Sequence, residues 1–203
     1  MNFGGNPTVL PDKGSERWKG QCRDDGWMSE IELMRRVAAG DCEGIRELVV
    51  RHYDAIFRLL RHLTGSREDA EDLTQDVFLV ARAKGGSYAG NGSVRSWLTR
   101  IAINADKKRR RRDRVKRFCF IGQSRAPDEV KSMLDSEWLL EGIARLPADQ
   151  QVALLLHEVH GFSVSELAAI TGSPEGTVKA RLHYARKALQ QILICPDGEA
   201  KDE

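Results

Sequence analysis

The amino-acid sequence predicts an all-α protein: two small helical domains joined by a flexible linker, the C-terminal one a helix-turn-helix. Three observations carry this. From Ser29 onward apolar residues recur at helical spacing, and almost no segment alternates with period two. β-branched residues do not cluster into strand-like runs. The pattern lapses once in mid-chain, at "CFIGQSRAPDEV" (119–130), where Gly122, Ser124 and Pro127 mark a linker. With 203 residues, 41% of them hydrophobic and 31% charged, the chain can fold as one domain or two small ones, and no single large core is implied.

The elements follow in order. Residues 1–27 are rich in Gly, Pro and charge without a period, and read as a flexible leader. "SEIELMRRVAAG" (29–40) opens on a capping box, Ser29 with Glu32, and puts Ile31, Met34 and Ala38 on one side. A helix over 41–63 aligns Ile45, Leu48, Val49, Ile56, Leu59, Leu60 and Leu63, and "TGS" (64–66) breaks it. The next spans about 67–84, with Ala70, Leu73, Val77 and Phe78 facing a core. "GGSYAGNG" (85–92) is a loop, and Ser93 caps a helix whose apolar face is Val94, Trp97, Leu98, Ile101 and Ala105. Helicity resumes near Val130, is interrupted by Pro147, and continues at 148–160, 163–171 and 174–193. The resulting division is a leader at 1–27, a domain at 28–117, a linker at 118–131, a domain at 132–194 and a tail at 195–203.

Near the C-terminus, Ser163 and Glu166 form a second capping box, and Gly172 ends that short helix. Ser173 caps the next helix, with Pro174 at its first position. Two helices separated by so short a turn cross steeply, as in a helix-turn-helix. In the second, Val178, Leu182, Ala185, Leu189 and Ile192 form a buried stripe. The opposite side carries Thr177, Lys179, Ala180, Arg181, His183, Tyr184, Arg186 and Lys187. Such a face either reads a duplex groove or is the solvated side of a small bundle, and the turn chemistry favours the groove. On that reading Lys179 and His183 reach base edges, while Arg181, Arg186 and Lys187 meet phosphates.

Net charge is only +2, but its distribution is uneven. "SREDAEDLTQDVF" (66–78) is acidic, and "KKRRRRDRVKR" (107–117) is almost wholly basic. Asp69, Asp72 and Asp76 form one acidic stripe beside Gln75 and Leu79. Glu68 and Asp69 sit where they favour the helix dipole; Asp76 is too far along for that. The stripe reads either as dipole chemistry or as a docking face for a basic partner. The arginine run is self-repelling, which a polyanion relieves, although a solvated linker has the same composition. Trp97, Tyr88 and Asn91 can stack on or bond unpaired bases, but Trp97 lies on the apolar face and reads as core.

Other classes find little support. Cys22, Cys42, Cys119 and Cys195 make no CxxC pair, so reduced or incidental thiols fit best. No apolar run approaches ~18 residues, which argues against a spanning segment, and the N-terminus lacks a signal-peptide core. The expected location is cytoplasmic. "HEVHG" (157–161) spaces its histidines at i, i+3 rather than the i, i+4 of a zinc protease helix. No Ser-His-Asp set, P-loop or GxGxxG is evident, so neither an enzyme, a cofactor nor a metal is expected. The rival classes are a free-standing helix-turn-helix regulator, which needs a dimerisation seam not visible here, and a nuclease or metal enzyme.

Three stretches together resemble the extracytoplasmic-function (group IV) sigma factors of bacterial RNA polymerase. "DAEDLTQDVFLVA" (69–81) is similar to their region 2.2, "SVRSWLTRIAIN" (93–104) to their W-L-x-R-I-A-x-N segment, and residues 146–189 to their region 4. The resemblance implies a promoter-specificity subunit that binds core polymerase (β′ clamp coiled coil and β subunit) and promoter DNA and answers to an anti-sigma factor. It implies that Asp69, Asp72, Gln75, Asp76 and Phe78 bind polymerase. Tyr88, Asn91, Ser93, Arg95, Arg100, Asn104, Lys107, Lys108, Arg110 and Arg111 would contact the −10 element, where a base is flipped from the melted strand. Ser163, Ser173, Thr177, Lys179, Ala180, Arg181, His183, Tyr184, Arg186 and Lys187 would contact the −35 element. Ala180 stands where the family often has Ser, and His183 and Tyr184 where it often has Arg or an aromatic, which leaves the −35 sequence open.

Overall fold

The computed structural model describes residues 29–90, 92–119 and 137–194. The leader at 1–27, Asn91, most of the linker assigned to 118–131, the helix start near Val130 and the tail at 195–203 lie outside the described residues. Eight α-helices are described: α1 Glu30–Ala38, α2 Cys42–Thr64, α3 Arg67–Lys84, α4 Val94–Cys119, α5 Glu137–Ala144, α6 Ala148–Leu154, α7 Val164–Thr171 and α8 Glu175–Ile194. No strand occurs among the described residues.

In the N-terminal domain α1 to α4 enclose Leu33, Val37, Leu48, Ile56, Leu59, Leu60, Val77, Leu98 and Ile103, each essentially buried. Full burial of such side chains contributes about 1.5–3 kcal/mol each. The α2–α3 turn needs Gly65, at φ 71, as the left-handed cap of α2, while Ser66 Oγ accepts from Asp69 N–H to start α3. The loop after α3 crosses α1 so closely that a Cβ on Gly85 would sit 2.8 Å from Val37 Cγ1. α4 then runs through the whole basic stretch. Asp106, almost fully buried, accepts from Arg109 Nη2 at 3.2 Å and Arg110 Nε at 2.6 Å, and Asp113 accepts from Arg109 Nη1 at 3.2 Å. These interleaved carboxylates relieve the like-charge repulsion of the run.

In the C-terminal domain α6 and α7 pack against α8. Val178, Leu182 and Ala185 are buried, with Leu189 and Ile192 half-covered at the end of the same stripe. Three local expectations are corrected. The first capping box is half formed: Ser29 Oγ accepts from Glu32 N–H, but the Glu32 carboxylate pairs with Arg35 at 2.6 Å. The helix expected over 148–160 is α-helical only to Leu154; Leu155–Val159 widens into a π-turn. Leu155 and Leu156 are both fully buried within it, and the chain leaves through His160 and Gly161, the latter at φ 70. α8 begins one residue later than expected: Val178 N–H donates to the Pro174 carbonyl, and Ser173 Oγ accepts from Arg181 Nη1 at 2.9 Å. The Ser163–Glu166 box is complete, and Gly172, at φ 66, closes α7.

The two domains touch. α4 packs on α7, and α2 meets the π-turn, so the seam joins the two helical units into one continuous apolar cluster.

Candidate nucleic-acid interface

α3 presents its acids outward. Asp72, Gln75 and Asp76 are exposed, and Leu79, at 62% exposure, and Val80 extend the stripe with apolar surface. The strip thus places anionic and apolar surface side by side in solvent. Asp69 differs from the other acids: it is half-covered, and its carboxylate accepts from Arg109 Nη1 at 3.4 Å. Phe78, grouped with the partner-binding residues from the sequence, lies in the core at 8% exposure, its ring 6.3 Å from and nearly parallel to that of Tyr53. Its apolar spacing with Ala70, Leu73 and Val77 puts it on the inner face of α3.

The loop before α4 is built around Tyr88. Its hydroxyl donates to the Gly92 carbonyl at 2.7 Å, its ring meets Trp97 edge-on at 5.7 Å, and partial burial raises its phenol above the ordinary value. Trp97 is half-buried, so it belongs to the core margin rather than wholly to the core. Ser93 Oγ accepts from Ser96 N–H, and the Glu30 carboxylate takes Val94 N–H from across the domain at 3.1 Å. The start of α4 is therefore capped twice, by its own serine and by the first residue of α1.

Along α4, Arg100, Asn104, Lys107, Lys108 and Arg111 are exposed on the outer side. Arg95 and Arg110 are turned inward. Arg110 donates to Asp106, to the Leu63 carbonyl and to Gln151 Oε1, the last two at 3.0 Å. Arg95 donates to the His160 carbonyl at 2.6 Å and lies 4.4 Å from the Phe162 ring centroid. Burial pulls its guanidinium pKa down from the ordinary arginine value.

On α8, Thr177, Lys179, Ala180, His183, Tyr184 and Lys187 share an exposed face, with Tyr184 58% exposed and edge-on to His183 at 5.5 Å. The arginines are engaged. Arg181, 26% exposed, bridges Ser173 Oγ and Asp149 Oδ2, both at 2.9 Å, and so ties α8 to its own turn and to α6. Arg186 pairs with Glu158 at 2.6 Å with both partners about half exposed. Ser163 is exposed but spent on the capping box. His157 Nδ1 lies 2.8 Å from the Phe162 carbonyl, and His160 faces His62, so the two histidines of "HEVHG" serve different contacts. No group of three His, Cys, Asp or Glu that could hold a metal occurs among the described residues.

The sequence reading overlooked Asp106, although it lies three and four residues before Arg109 and Arg110 and that spacing is legible. It also overlooked Glu30 as the cap of α4 and Phe162 as the partner of Arg95; these are contacts over 60 residues apart, with no local signature.

An outward anionic strip, a basic helix behind a tyrosine-pinned loop and a helix-turn-helix with a cationic face are the surfaces of a protein that binds nucleic acid together with a protein partner. Residues 48–115 match the profile of Sigma-70 region 2, and residues 136–189 that of Sigma-70, region 4. The chain is 31% identical to the ECF RNA polymerase sigma factor SigM of Mycobacterium tuberculosis, over 81% of this chain and 85% of that one. It is 30% identical to the RNA polymerase sigma-H factor of Pseudomonas aeruginosa, over 80% and 92%. Among solved structures it resembles the sigma factor RpoE of Bartonella quintana, determined in complex with the anti-sigma factor NepR: 29% identity, TM-score 0.61, covering 73% of this chain and 96% of that one. The chain belongs to the ECF sigma factors of the sigma-70 family. It is an RNA polymerase sigma factor, which binds core polymerase and directs promoter-specific initiation by recognising −10 and −35 elements.

Proposed function

We propose that the chain is a group IV sigma factor whose two helical domains divide the work, residues 28–117 taking core polymerase and the −10 element and residues 132–194 the −35 element. The observation that carries this is the order of three unlike surfaces on one chain: the acidic strip of α3, the basic outer side of α4 and the cationic face of α8. Asp72, Gln75 and Asp76 form the polymerase-facing strip, with Leu79 as its apolar end. Asp69 contributes from its margin, and Phe78 acts by setting the height of α3 on the core. Tyr88, Asn91 and Ser93 belong to the loop that receives the −10 bases. Arg95, Arg100, Asn104, Lys107, Lys108, Arg110 and Arg111 follow the strand.

At the −35 element Lys179 and His183 reach base edges, flanked by Thr177, Ala180 and Tyr184, while Lys187 and Arg186 meet phosphates. Ser163 and Ser173 lie at the turn ends. Arg181 positions the reading helix rather than reaching DNA. Chemistry stays with the polymerase; this chain contributes no catalytic group. No described helix is long and apolar enough to cross a membrane. Its place of work is the cytoplasm, with the polymerase, and its regulator is an anti-sigma factor, as for the Bartonella neighbour. Co-elution of the full chain with core polymerase on gel filtration, compared with an Asp72→Arg/Asp76→Arg double variant, tests the docking strip: the parent co-elutes and the variant does not. Equal co-elution removes the strip from the interface.

A further inference from the structure

We infer that Glu30, the first residue of α1, is a positioning residue for −10 recognition: its carboxylate holds the start of α4, and with it the Tyr88 loop, in the shape that receives a base. This role rests on the reading of that loop as the −10 receiver, and it adds a residue from outside both the loop and α4. Glu30 Oε2 accepts from Val94 N–H at 3.1 Å, across 64 positions of chain. Val94 opens α4, so this N–H has no acceptor within its own helix. A carboxylate there also faces the positive end of the helix dipole. The neighbours of Glu30 are occupied otherwise: Ser29 caps α1 itself, and Glu32 pairs with Arg35.

α1 braces the loop at both ends. Leu33, Met34 and Val37 bury its inner side and fix it on the core. Its last turn lies against the loop's beginning, the 3-10 turn Gly85–Ser87, where a Cβ on Gly85 would sit 2.8 Å from Val37 Cγ1 and one on Gly86 4.0 Å from Ala38 Cβ. Its first residue holds the loop's other end, at Val94. Between these ends the backbone is glycine-rich, with Gly90 at φ 73 and Gly92 at φ 92. Glycine has the most conformational freedom to lose on ordering, so such a loop keeps one shape only if its ends are held. Tyr88 is tied to Gly92 through its hydroxyl, and it lies within reach of the Glu30 charge, which after burial is the second cause that raises its phenol. With Glu30 gone, the end of the loop would rest on the Ser93 cap and the Tyr88 tie.

A preset loop benefits only the template with the right base. A wrong base makes no pocket contact, so loosening the loop weakens the preferred template and spares the others. General attraction comes from the outer cations Arg100, Lys107, Lys108 and Arg111, further along α4. Glu30 therefore governs sequence preference rather than overall affinity.

The test uses holoenzyme assembled from core polymerase and the full chain. Fluorescence anisotropy gives its affinity for fork-junction templates in which each base of the −10 segment is varied in turn. Glu30→Ala removes the acceptor, while Glu30→Gln keeps a carbonyl oxygen in its place. In Glu30→Ala the preference at the positions the loop reads should fall about fivefold, the factor set by losing one helix cap of ordinary strength. Affinity for the least-preferred templates, affinity for core and the salt slope should match the parent, and Glu30→Gln should keep most of the preference. Full preference in Glu30→Ala overturns the inference. So does an equal loss on every template, the mark of a loosened domain, or a Glu30→Gln variant as impaired as Glu30→Ala. Tyr88→Ala separates this from the reading beneath it. If Tyr88→Ala loses the preference and Glu30→Ala keeps it, the loop reads the −10 element without Glu30. If Tyr88→Ala matches the parent at every position, the loop reading itself fails, and the role of Glu30 with it.

Discussion

At the scale of single residues, the distinction that matters is between charges that are free and charges that are spent. Asp76 is exposed on α3. Asp76→Arg is expected to weaken core-polymerase binding by about 2 kcal/mol or more, because like charges at a complementary interface repel. Titration of labelled core by anisotropy checks it, and an unchanged affinity would argue that α3 docks elsewhere. Lys179 is exposed near the N-terminal end of α8. Lys179→Ala should lose about 1–3 kcal/mol on the preferred −35 sequence and much less on others. A uniform loss across sequences would make it a phosphate contact. Arg181 and Arg186 looked alike in sequence and are not. The Arg186–Glu158 pair is exposed at both ends, a kind usually worth about 0–1 kcal/mol, so a phosphate can replace the carboxylate. Arg181 is held by two partners on two other segments, which no spacing within α8 could reveal.

At the scale of elements, what was legible is what is local. The bounds of α3, the turn at Gly65, the cap at Ser163 and the stop at Gly172 are set by residues within four positions of the feature they make. Ser163→Ala should cost about 1 kcal/mol by removing a hydroxyl acceptor from the α7 cap. Gly172→Ala should cost about 1–2 kcal/mol from the left-handed backbone alone, since no atom lies within 4 Å of the added Cβ. Thermal unfolding of each variant measures both, and a neutral Gly172→Ala would mean the turn relaxes without strain. The π-turn at Leu155–Val159 was not legible, because its helical periodicity continues through "LLHEV" while tertiary contacts decide the hydrogen-bond register. Phe78 shows the same limit from the other side. Its spacing marked it as core, and only the resemblance suggested a partner role.

At the scale of the whole molecule, the sequence pointed to two domains and a linker; the contact between the domains depends on residues too far apart in the chain to read. That contact should respond to acid. Burial, with His62, Arg95 and Arg58 facing the ring, lowers the His160 pKa from 6.5 to about 3. The parted form, with an ordinary histidine, takes up a proton below about pH 6.5 that the closed form does not. Closure is thus intact above that pH and is lost as pH falls toward the lowered value. At about pH 5 this one group costs closure about 2 kcal/mol. His62, also lowered by burial, works in the same direction. Scattering near pH 7.5 and pH 5 should show expansion on acidification, blunted in His160→Gln; no expansion, or equal expansion in the variant, would absolve His160. The central claim is that one chain carries a polymerase-docking strip and two promoter readers. Run-off transcription with purified core polymerase on a promoter template tests it most directly. The account predicts a transcript of defined start site when the chain is added, lost with Asp76→Arg and absent with core alone. The same products with and without the chain would contradict it.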